Sequence, residues 1–315
     1  MRKLTRVLAA LGVGLALSWT ANGVAAEKDR PVRIAFIIYT EAGNIFWNPL
    51  LKGIHDAAKE FNARVTIQYA NTDPVTQNNL MEAAITNKVD GMVVMLFAKG
   101  AFKKNVQKAR DAGIAVIAAN IDDPSTTRQA YVGADSKAAG YVIGTIMVKS
   151  CHLGKGDNVF DPVEYPDAAY AHQRFAGVTE ALDKVGARGE MLGTGSDFAE
   201  ALPKMTQYLL GHRDTKCVIS LGGTPTGVAA QASQQAGLHI PNGGFDLNKL
   251  IIQNLEGGKL VATMDQQPYY QGFLPVMEIA NYVRYGLTPF DVDTGLAVVT
   301  KSNVGKVTQY VGAYR

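Results

Sequence analysis

What the sequence has little of narrows its function first. No apolar run after the first 26 residues approaches the length of about 20 needed to span a bilayer, so nothing beyond that point reads as a membrane anchor. Basic residues are scattered without a Lys/Arg cluster and the formal net charge is only +3, which leaves no footprint for nucleic acid. The histidines His55, His152, His172, His212 and His239 show no metal-ligand spacing, and no alternating Asp/Asn loop ends in Glu, so neither zinc nor calcium is indicated. Enzyme signatures are missing as well. Gly193-Thr194-Gly195-Ser196-Asp197 lacks the closing glycine of a nucleophile elbow, and Gly154-Lys155-Gly156-Asp157 lacks phosphate-loop spacing. The chain is expected to be no enzyme and to hold no metal or cofactor. Cysteine is scarce: Cys151 and Cys217 allow one disulfide, with two buried thiols as the alternative.

The N-terminus carries a clear pattern. Arg2, Lys3 and Arg6 precede an apolar run from Val7 to Trp19, and small residues end at Val24-Ala25-Ala26. A basic region, a short apolar core and a small-x-small site make a secretory signal peptide, expected to be cleaved after Ala26. Export implies an oxidising compartment, the periplasm, where a Cys151–Cys217 bridge is the expected state.

The remaining chain, 47% apolar over its full length, is rich enough in core residues for two domains. Short β-branched runs at 32–38, 65–69, 91–96 and 114–119 alternate with helical periods, one of them opening at Pro49. The alternation restarts with strands at 158–160, 190–194, 216–221 and 260–264 and helices between them, and 241–244 (Pro-Asn-Gly-Gly) reads as a turn. Strands that do not alternate in polarity belong to parallel sheets covered on both faces. The expected fold is α/β, with two doubly wound parallel-sheet domains and a cleft between them.

Ligands of such sheets sit beyond the carboxyl ends of strands. The loops there hold Asn44, Phe46 and Trp47, then Asn120 and Asp122, then Asp197-Phe198, Gly222-Gly223, Phe245-Asp246 and Gln266, while the helix at 169–185 opens near His172 and Arg174. Aromatic faces, amides, carboxylates and one guanidinium suit a polyhydroxylated ring, whose hydroxyls both donate and accept and whose C–H face stacks. Each residue also has a plainer role: Phe46, Phe198 and Phe245 as core, Asn120 and Asp122 as turn residues before Pro124, and Asp197 as a helix cap.

These residues resemble the type I periplasmic sugar-binding proteins of ABC transporters, the ribose-binding group in particular. The likeness covers residue 27 to about residue 302 and is carried by Asn44-x-Phe46-Trp47, Arg174-x-x-Gly177, Gly244-Phe245-Asp246 and the stretch from Gly258 to Pro268. It implies an N-terminal lobe of residues 27–134 and 267–293 and a C-terminal lobe of 135–266 and 294–315, joined by a three-strand hinge near Ala134, Gln266 and Asp293. It also implies ligand contacts from Asn44, Phe46, Trp47, Asn120, His172, Arg174, Phe198, Asp246 and Gln266. Three positions depart from the ribose binders: Asn120 stands for an Asp, His172 for a second arginine, and Gly222 for a ligand-contacting Asn. A different pentose, a hexose, a polyol or a cyclitol is therefore equally compatible. The implied partners are that ligand and an ABC permease, with the protein a monomer. The alternative is the same fold holding a non-sugar or furanosyl signalling ligand, with a chemoreceptor as readout.

Overall fold

The structure, a computed structural model, describes residues 30–43 and 45–315; the segment read as a signal peptide and Asn44 lie outside the described residues. Strands β1 (Val32–Ile38), β2 (Ala63–Tyr69), β3 (Gly91–Val94), β4 (Ala115–Asn120), β5 (Ala130–Gly133) and the short β11 (Val292–Asp293) form one sheet in the order β11-β5-β4-β3-β1-β2. Strands β6 (Asn158–Val163), β7 (Arg188–Gly193), β8 (Thr215–Ile219), β9 (Asn242–Phe245), β10 (Ala262–Asp265) and β12 (Ala297–Thr300) form the second, in the matching order β12-β10-β9-β8-β6-β7. Neighbours in both sheets pair parallel except β10 and β12, which are antiparallel.

Helices cover both faces of each sheet, which is why the strands read as unbroken apolar runs. In the N-lobe, Ile34, Phe36 and Ile38 of β1 pack under α1 (Asn48–Glu60) and α9 (Pro268–Tyr285). The intervening Ala35 and Ile37 pack toward α2 (Pro74–Thr86) and α3 (Lys103–Asp111). The C-lobe repeats this with α4 (Ser136–Ser150) and α5 (Ala169–Asp183) on one face and α6 (Phe198–Gly211) and α7 (Gly223–Gln235) on the other. Side-chain caps set several helix starts: Asp73 accepts the N–H groups of Val75 and Thr76, and Asp135 accepts that of Ala138.

The turn expected at 241–244 is largely strand β9. Its glycines are there for space: a Cβ on Gly243 would overlap Met147 Sδ, and one on Gly244 would overlap Thr226 Oγ1. A helix α8 (Lys249–Glu256), opened by the Asn248 cap, follows where no helix was read. The chain passes between the sheets three times: after Gly133, after Asp265, and between Asp293 and Ala297. Cys151, the C-cap of α4, is bridged to Cys217 on β8, with Cα atoms 6.0 Å apart. The final residues cross back towards the N-lobe: Tyr314 packs on Tyr269 and Lys52, and Arg315 pairs with buried Asp265 at 2.5 Å.

Two of the buried carboxylic acids, Asp161 and Glu278, have neither oxygen in a well-formed hydrogen bond. Asp161 on β6 has no well-formed hydrogen bond to either oxygen, and burial raises its pKa well above the usual carboxylate range. Glu278 on α9 is 4% exposed and is pushed up to about 7, by burial first and then by Asp291. A raised pKa means the fold prefers the protonated acid. Stability is thus complete below the ordinary carboxylate pKa and falls as pH climbs through about 7 for Glu278. Glu278→Gln is expected to stabilise the protein by roughly 1–3 kcal/mol near pH 8 and by nothing near pH 4. Thermal melts at the two pH values check this; coincident melts near pH 8 would sink it.

Candidate functional site

In each sheet the chain order reverses beside one strand. β1 lies between β2 and β3, and β6 lies between β7 and β8. Connections leave such a strand in opposite directions and open a crevice beyond its carboxyl end. The residues that immediately follow are Tyr39 in the N-lobe and Glu164 in the C-lobe, and the two crevices face each other. Tyr39 has its phenol pKa raised by burial first, then by Tyr165 and Glu164 of the opposite lobe.

The N-lobe wall is aromatic. Trp47, in the 3-10 turn Ile45–Trp47, donates Nε1–H to Thr40 Oγ1 at 2.7 Å and meets Tyr39 and Phe46 edge-on. At 3% exposure Trp47 belongs to the core beneath the wall, while Tyr39, Phe46 and Phe97 are partly exposed. Tyr39 also packs on Phe97, with ring centroids 5.4 Å apart. Asp122 is engaged elsewhere, in a two-pronged ion pair with Arg128 at 2.6 and 2.7 Å.

The C-lobe wall is charged. Arg174, 4% exposed on α5, donates Nη1–H to the Leu221 carbonyl at 2.7 Å and stands over the rings of Phe245 at 4.1 Å and Tyr170 at 4.9 Å. Its Nη1 lies 3.8 Å from Asp246 Oδ2, and its Nε is buried without a partner. α5 holds this side chain in place by pressing backbone against α4, where a Cβ on Gly140 would overlap the Arg174 carbonyl and one on Gly177 the Lys137 carbonyl.

A row of hydrogen bonds joins the walls. Asn120 Nδ2 donates to Gln271 Oε1 at 2.8 Å and to Gln266 Oε1 at 3.2 Å, and Gln266 Nε2 donates to Asp246 Oδ1 at 2.6 Å. Gln271 Nε2 in turn donates to Thr294 Oγ1 at 3.0 Å, so two of the three crossings, at Gln266 and Thr294, contribute near this point. Asn120, Asp246 and Gln267 all have left-handed backbones, with φ of 62°, 69° and 52°. Non-glycine residues adopt that region at a cost, and they concentrate at sites where the surrounding structure enforces it.

Of the residues singled out from sequence, Asn120, Gln266, Asp246 and Arg174 thus form one connected group. Phe198 opens α6 at 38% exposure beside Gly227, next to Asp197, which caps the same helix through the Ala199 N–H. His172 does not join them. Two residues on an α-helix turn about 200°, which puts His172 on the exposed face of α5 while Arg174 is buried. Tyr39, Glu164, Tyr170 and Gln271 were not singled out. Glu164 was hidden because the strand reading stopped at Phe160, before the buried Asp161 and Pro162 that continue β6.

Residues 34–287 match the periplasmic binding protein domain family. The chain is 29% identical over 292 residues to a xylose/arabinose-binding protein of Sulfolobus acidocaldarius, covering 86% of this chain and 72% of that one. It is 26% identical over 243 residues to a ribose import binding protein of Bacillus subtilis, covering 77% and 79%. A carbohydrate transporter protein from Acidothermus cellulolyticus 11B, solved in complex with myo-inositol, superposes with a TM-score of 0.79 at 27% identity, covering 90% of this chain and 98% of that one. A solute-binding protein of an ABC transporter from Burkholderia graminis C4D1M, in complex with D-arabinose, superposes with a TM-score of 0.77 at 26% identity, covering 87% and 96%. With strands β2 to β10, nearly all of β1, the hinge-side amides and the facing crevices inside the matched region, the chain belongs to the periplasmic binding protein domain family.

Proposed function

We propose that this protein is exported through a cleaved signal peptide and closes its two lobes on a monosaccharide or related polyol, which it delivers as a monomer to an ABC permease. The observation that carries the reading is the row Gln271–Asn120–Gln266–Asp246, with Arg174 beside it, which crosses from one lobe to the other. Amides, a carboxylate and a guanidinium offer donors and acceptors in pairs, which suits adjacent hydroxyls, and the part-exposed rings of the N-lobe suit a C–H face. The relatives named above bind xylose, arabinose or ribose, and the two solved structures hold D-arabinose and myo-inositol. All are neutral molecules with vicinal hydroxyls. Contacts from both lobes favour the closed form, because a ligand shifts a two-state equilibrium by its differential affinity for the two states.

A thermal-shift screen of pentoses, hexoses and cyclitols tests this. A cognate ligand at a hundred times its Kd adds about 2.7 kcal/mol and raises Tm by roughly 5 °C or more. Stabilisation only by compounds without adjacent hydroxyls would overturn the assignment and favour a signalling ligand read by a chemoreceptor.

A further inference from the structure

Glu164 sits at the reversal point of the C-lobe sheet, in the place Tyr39 takes in the N-lobe, and its carboxylate is built in. Oε1 accepts the Thr224 N–H at 2.8 Å, in the first turn of α7, and Oε2 accepts the Tyr170 hydroxyl at 3.2 Å. Space for it comes from Gly222, where a Cβ would overlap Oε2. The backbone at Gly222, φ −159° and ψ 175°, is extended and open to any residue, so the glycine serves the carboxylate and not the chain. A carboxylate offers about four lone-pair directions; Thr224, Tyr170 and the residue's own N–H do not exhaust them, which leaves room for a donor from the cleft.

Charge sets what can approach. Glu164 and Asp246 flank a single guanidinium, Arg174, already committed to the Leu221 carbonyl and the Phe245 and Tyr170 rings. Burial, followed by Asp246, holds the Glu164 carboxyl above its usual range, so the wall already resists one more negative charge. An anionic ligand would add another negative charge beside these two carboxylates.

We propose that Glu164 is a specificity-determining residue of the cleft, accepting a hydroxyl of a neutral polyol and barring sugar acids and sugar phosphates. The proposal rests on reading the cleft as a polyol site. Titration calorimetry with D-xylose, D-arabinose, D-ribose and myo-inositol tests it, against D-glucuronate (the xylose ring bearing a carboxylate) and myo-inositol 1-phosphate. The wild type is expected to bind at least one neutral probe and to bind the anionic probes about a hundredfold more weakly or worse. Glu164→Gln, with circular dichroism as folding control, should weaken the neutral probe about tenfold and narrow the neutral-to-anionic ratio by about tenfold or more. Gly222→Ala, which displaces the carboxylate while leaving Glu164 in the chain, should do the same. A ratio unchanged in both variants, or anionic probes bound as tightly as neutral ones by the wild type, overturns the role of Glu164 alone. A wild type that binds none of the neutral probes overturns the polyol reading and this proposal together.

Discussion

Arg174→Ala is expected to weaken binding of the best ligand from the thermal screen by about tenfold to a hundredfold, the consequence of leaving ligand oxygens enclosed without their charged donor. The guanidinium is 4% exposed, lies over two rings, and is bonded to the carbonyl of Leu221. Its removal also leaves that carbonyl unsatisfied and empties buried space, so a loss of about 1–3 kcal/mol in folding stability should accompany the change. Arg174→Lys is not expected to restore affinity, because an ammonium lacks the planar fork that stacks and bonds two oxygens at once. Asp246→Ala should weaken binding by about tenfold or more, and the double variant should lose less than the sum, since the two charges are 3.8 Å apart. Calorimetric titration of the four variants against the wild type decides it. Wild-type affinity in both single alanine variants, with unchanged circular dichroism, would place the site elsewhere.

Gly177→Ala should be the most damaging methyl that can be added to the C-lobe. Its Cβ would overlap the Lys137 carbonyl, and the partner glycine, Gly140, abuts the carbonyl of Arg174 itself. Backbone cannot yield as a side-chain tip does, so α4 and α5 must separate. Overpacking of this kind costs about 1–3 kcal/mol or more, against a helix-propensity gain of at most about 1 kcal/mol. Tm should fall by roughly 2–8 °C. Affinity should fall with it, because separating the helices carries Arg174 away from Asp246. A Tm within about 1 °C of wild type, or a destabilised variant that binds with full affinity, would show that the crossing does not position the guanidinium.

How far the fold could be read from the sequence follows from where its strands lie. Strands β1, β3 and β4 are covered on both faces, so both faces are apolar and the run is visible without any alternation. Two strands were obscured by their composition. β6 contains Asp161 and Pro162, a buried acid and a residue without an N–H, and the reading stopped short of both. β9 is Asn-Gly-Gly-Phe, which has the composition of a turn, and only the positions of Met147 and Thr226 explain why side chains are excluded there. In the site, Arg174, Asp246 and Gln266 were reachable because they match a family pattern. Glu164 had no such signal: its placement depends on the strand order of the second sheet and on the space beside Gly222, neither of which a single sequence displays. His172 lies on the exposed face of its helix, because its offset from Arg174 is far from a full helical turn.

The left-handed backbones at Asn120, Asp246 and Gln267 have a consequence for how this protein can change over time. Glycine would relax each of them, and backbone strain of this sort is worth on the order of 1–3 kcal/mol per residue. Selection for heat tolerance alone, in a laboratory or in a hot habitat, would favour glycine at these positions, yet Asn120 and Asp246 are where the amide and the carboxylate stand. On the proposed reading of the cleft, a lineage that drifted that way would become sturdier and lose its cargo. Durability and capture are opposed at the strand ends, and a programme to harden this protein as a sensor should leave those positions untouched and seek its gains in the lobes.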